Sequence, residues 1–344
     1  MTEHPSLALH HLLLRLDGHF PDDLVSEART WLAEGLVRDV AEAVVFTALT
    51  GDVALTAADV VVLSETLSSS GADTAALAEV RRTDGPPLPM YALAPADPTA
   101  LAEQRLPAIL DLTSGYVGPG APDPVDTAIV ASMPALTGVE ALWRSWRYPT
   151  DGTPPRRVYL VHRPDGALPS AAARLQAVLR EAGESTPLVQ VFDDEPTLPA
   201  QHRIALDCAA LLWTPRPTAP VRFAESPGFA PDQPRLDGPD RDRVLTRLAY
   251  GVPLLTTATF LDDALDRTRT GTVPTDLRTD GEWIWSDMVT YYLDRHRLAP
   301  GPTFLAHLRA CGPHPPQVGP AALHRARAAL WATTTGRRET ARRP

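Results

Sequence analysis

Lysine is missing from this 344-residue chain, and all 32 basic residues are arginine. That excludes a Walker-type phosphate loop, which needs a lysine behind its glycines. Cysteine is almost missing: Cys208 and Cys311 lie far apart and form no Cys-x-x-Cys unit. A disulfide framework is thereby excluded, and two packed thiols in a reducing compartment are expected. No apolar run approaches the ~20 residues that span a bilayer. The polar start Met1-Thr2-Glu3-His4-Pro5 has no leader pattern, so the expected residence is cytoplasmic. Positive charge is in deficit as well, with 42 acidic residues and a formal net charge of −10. This argues against nucleic-acid binding, whose backbone term needs clustered cations.

Proline, by contrast, is abundant: 36 residues, about twice the usual ~5% share. It punctuates a chain whose hydrophobic spacing changes along its length. Residues 1–82 read as a helical domain. Leu9, Leu12, Leu13 and Leu16 stripe a first helix, Leu24, Val25, Ala28 and Leu32 a second, and Val40, Ala41, Val44 and Ala48 a third. Thr56-Ala57-Ala58-Asp59 caps a fourth. Residues 83–100 carry Asp84-Gly85 and five prolines, the composition of a linker. Residues 101–235 read as an α/β domain. Within it Val158–Val161 and Leu188–Phe192 flank the helix Ala171–Glu181, a β-α-β unit that favours parallel pairing. Residues 236–312 form a mixed region with a strand-turn-helix at Arg278–Arg297. Residues 313–344 read as a basic, partly disordered tail, with six arginines and one glutamate from Ala321 onward. The fold class is therefore mixed α+β and α/β.

No segment is a catalytic signature. Ser114-Gly115 and Ser226 stand in no Gly-x-Ser-x-Gly elbow, and His162-Arg163-Pro164-Asp165-Gly166 lacks dinucleotide glycine spacing. The histidines form no His-Glu-x-x-His pair, so neither zinc nor any other cofactor is expected. Cys208 falls inside the apolar stretch Ile204–Leu212, read as helix. Asp193 and Asp194 follow a strand of the β-α-β unit, where open α/β sheets hold ligands. With His162 they are a possible ligand or metal site, and a polar loop is the plainer reading.

Aromatic residues supply the sharper functional features. Trp283 and Trp285, one residue apart on a strand, share a sheet face, and Ser286 can cap the helix that follows. On a helix, Trp143 and Trp146 would share one face and Arg144 and Arg147 its neighbour. If Phe260–Asp266 is helical, Asp262 and Asp266 lie one turn apart with Asp263 between them. Exposed indoles beside Asp262, Asp263, Asp266, Arg278 and Asp280 would form an anchor surface for a basic protein partner. The plainer alternative is that the rings seal a core.

The run from Leu248-Ala249-Tyr250-Gly251-Val252-Pro253-Leu254-Leu255-Thr256 through Arg278–Leu293, with Trp143–Tyr148 and Arg157–Val161, resembles a conserved-hypothetical family of high-GC actinobacterial genomes. The resemblance implies cytoplasmic residence and a role beside secreted-toxin or contractile-injection loci, and it brings no active site. Together these readings lead to the expectation of a non-catalytic protein-interaction module, adaptor-like or immunity-like, that engages neither membrane nor nucleic acid. The alternatives are an enzyme with a degenerate α/β site for a phosphorylated or nucleotide-like substrate, and a structural part of a larger assembly.

Overall fold

Apolar residues at helical spacing build the first four helices, Pro5–Leu16 (α1), Asp22–Ala33 (α2), Val37–Thr50 (α3) and Ala57–Ser69 (α4). Leu9, Leu12, Val25, Ala28, Val40, Val44 and Leu63 meet in one buried cluster. The entrance to α4 is a capping box: Thr56 Oγ1 accepts from the Asp59 amide at 3.2 Å, and the Thr56 amide donates to Asp59 Oδ2 at 3.0 Å. Two short strands, Leu55–Thr56 (β1) and Arg82–Thr83 (β2), pair in parallel beside this bundle.

In this computed structural model, residues 4–340 are described except 86–90, 103–105, 108, 114–115, 117, 165, 216–219, 231, 313 and 316; for 333–340 only the backbone is described. The Ser114-Gly115 pair and Asp165 thus lie outside the described residues. The chain divides into two compact units, Met1–Arg216 and Pro217–Pro344.

In the first unit the helices share space with a six-stranded mixed sheet. Its strands, with intervening helices, are Tyr91–Ala94 (β3), Pro98–Ala102 (α5), Leu110–Asp111 (β4), Pro124–Ser132 (α6), Ala141–Pro149 (β5), Arg156–His162 (β6), Leu168–Glu181 (α7), Leu188–Phe192 (β7), Ala200–Asp207 (α8) and Ala210–Trp213 (β8). The sheet order is β4-β8-β5-β6-β7, with β3 pairing β5. The β6-α7-β7 unit is parallel, with Val158 opposite Leu188 and Val161 opposite Val191. Polar side chains tie the helices to this sheet. Arg29 donates to Gln190 of β7, His10 Nε2 to the Val191 carbonyl at 2.8 Å, and Gln176 of α7 to Ser26 Oγ at 3.1 Å. These ties place residues 1–82 in the same compact unit as the sheet, although the helices keep a core of their own.

Four sequence expectations change here. The supposed linker contains β3, whose residues Tyr91–Ala94 pair with Trp146–Pro149; its residues 86–90 lie outside the described set. The Trp143–Tyr148 segment is the central strand β5, because Ala141–Arg147 pairs residue by residue with Arg156–His162. Ile204–Leu212 is split between α8 and β8, and Cys208 sits at the helix end with its thiol raised by burial. The fourth change concerns the tail. Residues Pro320–Thr340 are helical, with Ala326 fully buried, as proline in the first turn and the alanine-rich run that follows both favour. Residues 341–344 lie outside the described set.

The second unit is built on a four-stranded sheet and a set of helices. Its elements are Arg222–Phe223 (β9), Gly238–Ala249 (α9), Val252–Leu255 (β10), Phe260–Leu261 (β11), Val273–Pro274 (β12), Leu277–Thr279 (β13), Trp283–Ser286 (β14), Asp287–His296 (α10), Pro302–Ala310 (α11) and Pro320–Thr340 (α12). The sheet runs β10-β13-β14-β9, and β11 pairs β12 separately. The strand-turn-helix at Arg278–Arg297 is present, with Ser286 Oγ accepting from the Met288 amide at 3.2 Å. Phe260–Asp266 is not helical: it is β11 followed by a loop, since Phe260 pairs with Pro274 and the Asp263 amide bonds to the Arg269 carbonyl.

Candidate functional site

The tryptophans prove to be core residues. Trp283 and Trp285 do share a face of β14, where both pack on Phe304, but they are 6% and 1% exposed. Trp143 stacks near Phe192, and Trp146 lies under the Arg157 guanidinium. Both are buried, so none of the four is an exposed anchor. Strand alternation also separates the arginines between them. Arg144 pairs with Asp126 of α6 and donates to the Gly120 carbonyl at 2.7 Å, whereas Arg147 pairs with Asp22 of α2. Burial of so many polar atoms demands such partners.

Among the acidic candidates, Asp263 is also structural. Its carboxylate is buried and receives His296 Nε2 at 2.6 Å, Tyr291 Oη at 3.0 Å and the Leu265 amide at 2.9 Å. Burial alone would raise its pKa, yet these bonds hold it below the ordinary carboxylate value. Asp262 and Asp266 stay in contact with solvent but organise the same loop through the Gly271 and Thr268 amides. Arg278 bonds Asp287 at 2.7 Å and the Gly251 carbonyl at 3.1 Å.

Asp193 and Asp194 do meet other polar groups. They border a cleft of about 370 Å³ at the C-terminal end of β7, opposite His11 and Arg15 of α1. His11 Nε2 is 3.6 Å from Asp193 Oδ1. His162 lies just behind this cleft, its Nε2 donating to the Asp193 carbonyl at 3.2 Å and its Nδ1 3.3 Å from Glu140. Arg15 is already engaged by Asp59 at 2.7 Å. Thr197, the hydroxyl on this rim, donates to the Asp194 carbonyl. The cleft has room for a small polar ligand, and among the described residues no nucleophile with a base beside it lines the rim.

A second concavity appears on the helical face of the first unit. Trp31, Leu36, Ala43 and Phe46 line a shallow groove of about 530 Å³ between α2 and α3, with Asp39 and Glu42 on its edge. Phe46 is 68% exposed and Leu36 is 42% exposed. Glu42 is partly neutralised by Arg38 at 2.7 Å, while Asp39 is exposed. The helical periodicity contained this feature. Phe46 falls off the Val40, Ala41, Val44, Ala48 stripe, so a residue that should be polar there is aromatic.

One cluster escaped the reading of the sequence altogether. His307 Nε2 lies 2.6 Å from Asp280 Oδ2 and 3.7 Å from Cys311 Sγ. The three ligand atoms are within 4.8 Å of one another. Burial, with Asp280 alongside, pushes the Cys311 thiol up. The available signal was His307 and Cys311 at helical i, i+4 spacing; Asp280 joins only in space.

No family model matches the chain, and no curated protein or solved structure matches it. No helix among the described residues is long and apolar enough to cross a membrane.

Proposed function

We propose that the chain is a cytoplasmic, non-catalytic protein-binding module that uses the α2–α3 groove to receive a basic amphipathic segment of a partner protein. The observation that carries this reading is Phe46, an aromatic ring 68% exposed on a helix beside Trp31 and Leu36, with Asp39 and Glu42 at the rim. An apolar trough with acidic edges suits a helix that presents apolar residues at i, i+3 and i+4 and flanks them with arginine or lysine. The overall charge of −10 favours approach of such a partner. Adaptor and immunity-like roles both fall within this reading.

The test is affinity capture with the full chain, compared with Phe46→Asp and Asp39→Lys variants. A specific partner should be retained at moderate salt, weaken as salt rises, and be lost with Phe46→Asp. Loss of a central aromatic anchor is worth about 2 kcal/mol or more, roughly thirtyfold in Kd. If every captured protein binds the Phe46→Asp chain equally well, the groove is not the docking site.

The cleft at the end of β7 favours a second reading, an enzyme for a phosphorylated substrate, with Asp193 and Asp194 holding magnesium. That reading requires magnesium-dependent turnover of a phosphorylated substrate, abolished by Asp193→Asn.

A further inference from the structure

The turn between β13 and β14 aims one carboxylate oxygen at α11. Gly281 adopts φ +93°, a backbone state that suits glycine, and its amide donates to Thr279 Oγ1 at 2.9 Å. Asp280 Oδ1 accepts the Glu282 and Trp283 amides at 3.0 and 2.8 Å. That oxygen is committed to the turn. Oδ2 is left facing His307 Nε2. On α11, His307 and Cys311 lie one turn apart and therefore on one face. Trp283 and Phe304 pack beside the imidazole, with ring centroids at 5.8 and 6.3 Å, and limit its rotation.

We propose that Asp280, His307 and Cys311 form a binding site for a divalent cation of the zinc class. Zinc bonds of about 2.0–2.1 Å to nitrogen and about 2.3 Å to sulfur, at tetrahedral angles, set the N···S edge near ~3.6 Å. The His307–Cys311 edge is 3.7 Å. The Asp280 oxygen needs to withdraw by less than ~1 Å to complete the third corner, because the corresponding N···O edge is about 3.4 Å. A set of one sulfur, one nitrogen and one oxygen selects zinc or cobalt over magnesium and calcium, which prefer oxygen alone. Three protein ligands leave a fourth position for a solvent molecule.

The proton inventory is also provided for. Metal on Nε2 requires the imidazole proton to sit on Nδ1, and Glu282 Oε2 lies 3.8 Å from that atom. A small rotation of this exposed side chain makes it the acceptor, the carboxylate–histidine–metal relay that fixes a ligating ring. Binding then releases the Cys311 thiol proton to solvent.

Cobalt(II) titration of the full chain tests the assignment. One equivalent should bind and give tetrahedral visible bands with a thiolate-to-metal charge-transfer band in the near ultraviolet, all displaced by zinc. Cys311→Ser should remove the charge-transfer band, and Cys208→Ser should leave it intact. Asp280→Asn keeps the oxygen that caps the turn, so the far-ultraviolet spectrum should stay unchanged while affinity drops at least about tenfold. Absence of the charge-transfer band in the wild-type chain, or its survival in Cys311→Ser, overturns the proposal. Unchanged affinity in Asp280→Asn removes the carboxylate from the site.

Discussion

Replacing Arg144 with methionine should be among the most damaging single changes to the first unit. The guanidinium is 2% exposed and Asp126, its partner, is fully buried. Arg144 also donates to the Pro95 and Gly120 carbonyls at 3.0 and 2.7 Å. Methionine roughly fills the space but leaves the Asp126 carboxylate with Tyr159 Oη at 2.8 Å and the Asp123 amide at 3.2 Å. Breaking a buried pair from one side costs about 3–5 kcal/mol, because the remaining charge has neither water nor a counter-ion. For a unit of this size each kcal/mol shifts Tm by about 2–4 °C, so the loss should be roughly 6–20 °C by calorimetry. The pH dependence supplies a second readout. Burial already holds Asp126 above the ordinary carboxylate value, despite Arg144. A raised carboxylate pKa contributes stability below the unfolded value of 3.8, and that contribution fades as pH climbs through the folded value. Without Arg144 the folded value rises further, so the penalty should be larger at pH 8 than at pH 5. The double variant Arg144→Met/Asp126→Leu should recover more than half of the loss, since an apolar pair avoids the desolvation penalty. A single-variant cost below about 1 kcal/mol, or a double variant as unstable as the sum of the two singles, would refute this account of the pair.

Other substitutions probe separate parts of the molecule. Gly251→Ala should destabilise the second unit by about 1–3 kcal/mol in chemical denaturation. Its Cβ would overlap Trp285 Cζ2, come within 2.6 Å of Cη2 and press on the Arg278 side chain. Acid should weaken the first unit through His10 and His202, both held below the ordinary 6.5 chiefly by burial. Below that pH the unfolded chain binds protons that the folded one excludes, so stability falls as pH falls, by up to ~1.4 kcal/mol per pH unit for each histidine. His10→Gln should flatten that slope, measured as denaturation midpoint against pH. Phe46→Asp should leave the melting of the first unit within about 0.5 kcal/mol of wild type, because the ring is largely exposed; a larger loss would mark Phe46 as a packing residue.

Local features were legible wherever one element's own chemistry decided them. Apolar spacing defined α1 to α3, Thr56 and Asp59 announced the capping box that opens α4, and the apolar runs around Ala171–Glu181 specified the β6-α7-β7 unit. Trp283 and Trp285 were assigned correctly to one strand face, for the period of a strand is visible in two residues. What failed was the environment of each element. Trp143–Tyr148 satisfies a helical spacing on paper, but it is a strand because β3, β6 and β8 all bond to it, partners drawn from residues 91 to 213.

Composition alone determined that the chain has no lysine-based phosphate loop and no disulfide framework, and hydrophobic periodicity determined its first three helices. Only the tertiary structure decided which polar groups became internal. Arg144, Arg147 and Asp263 look like surface charges in a linear chain, and they are buried because Asp126, Asp22 and His296 meet them from distant segments. Asp280, His307 and Cys311 are only half-buried, yet they too come together from separate segments only in the fold. Side-chain chemistry is written residue by residue, whereas desolvation and pairing depend on neighbours that only the folded backbone supplies.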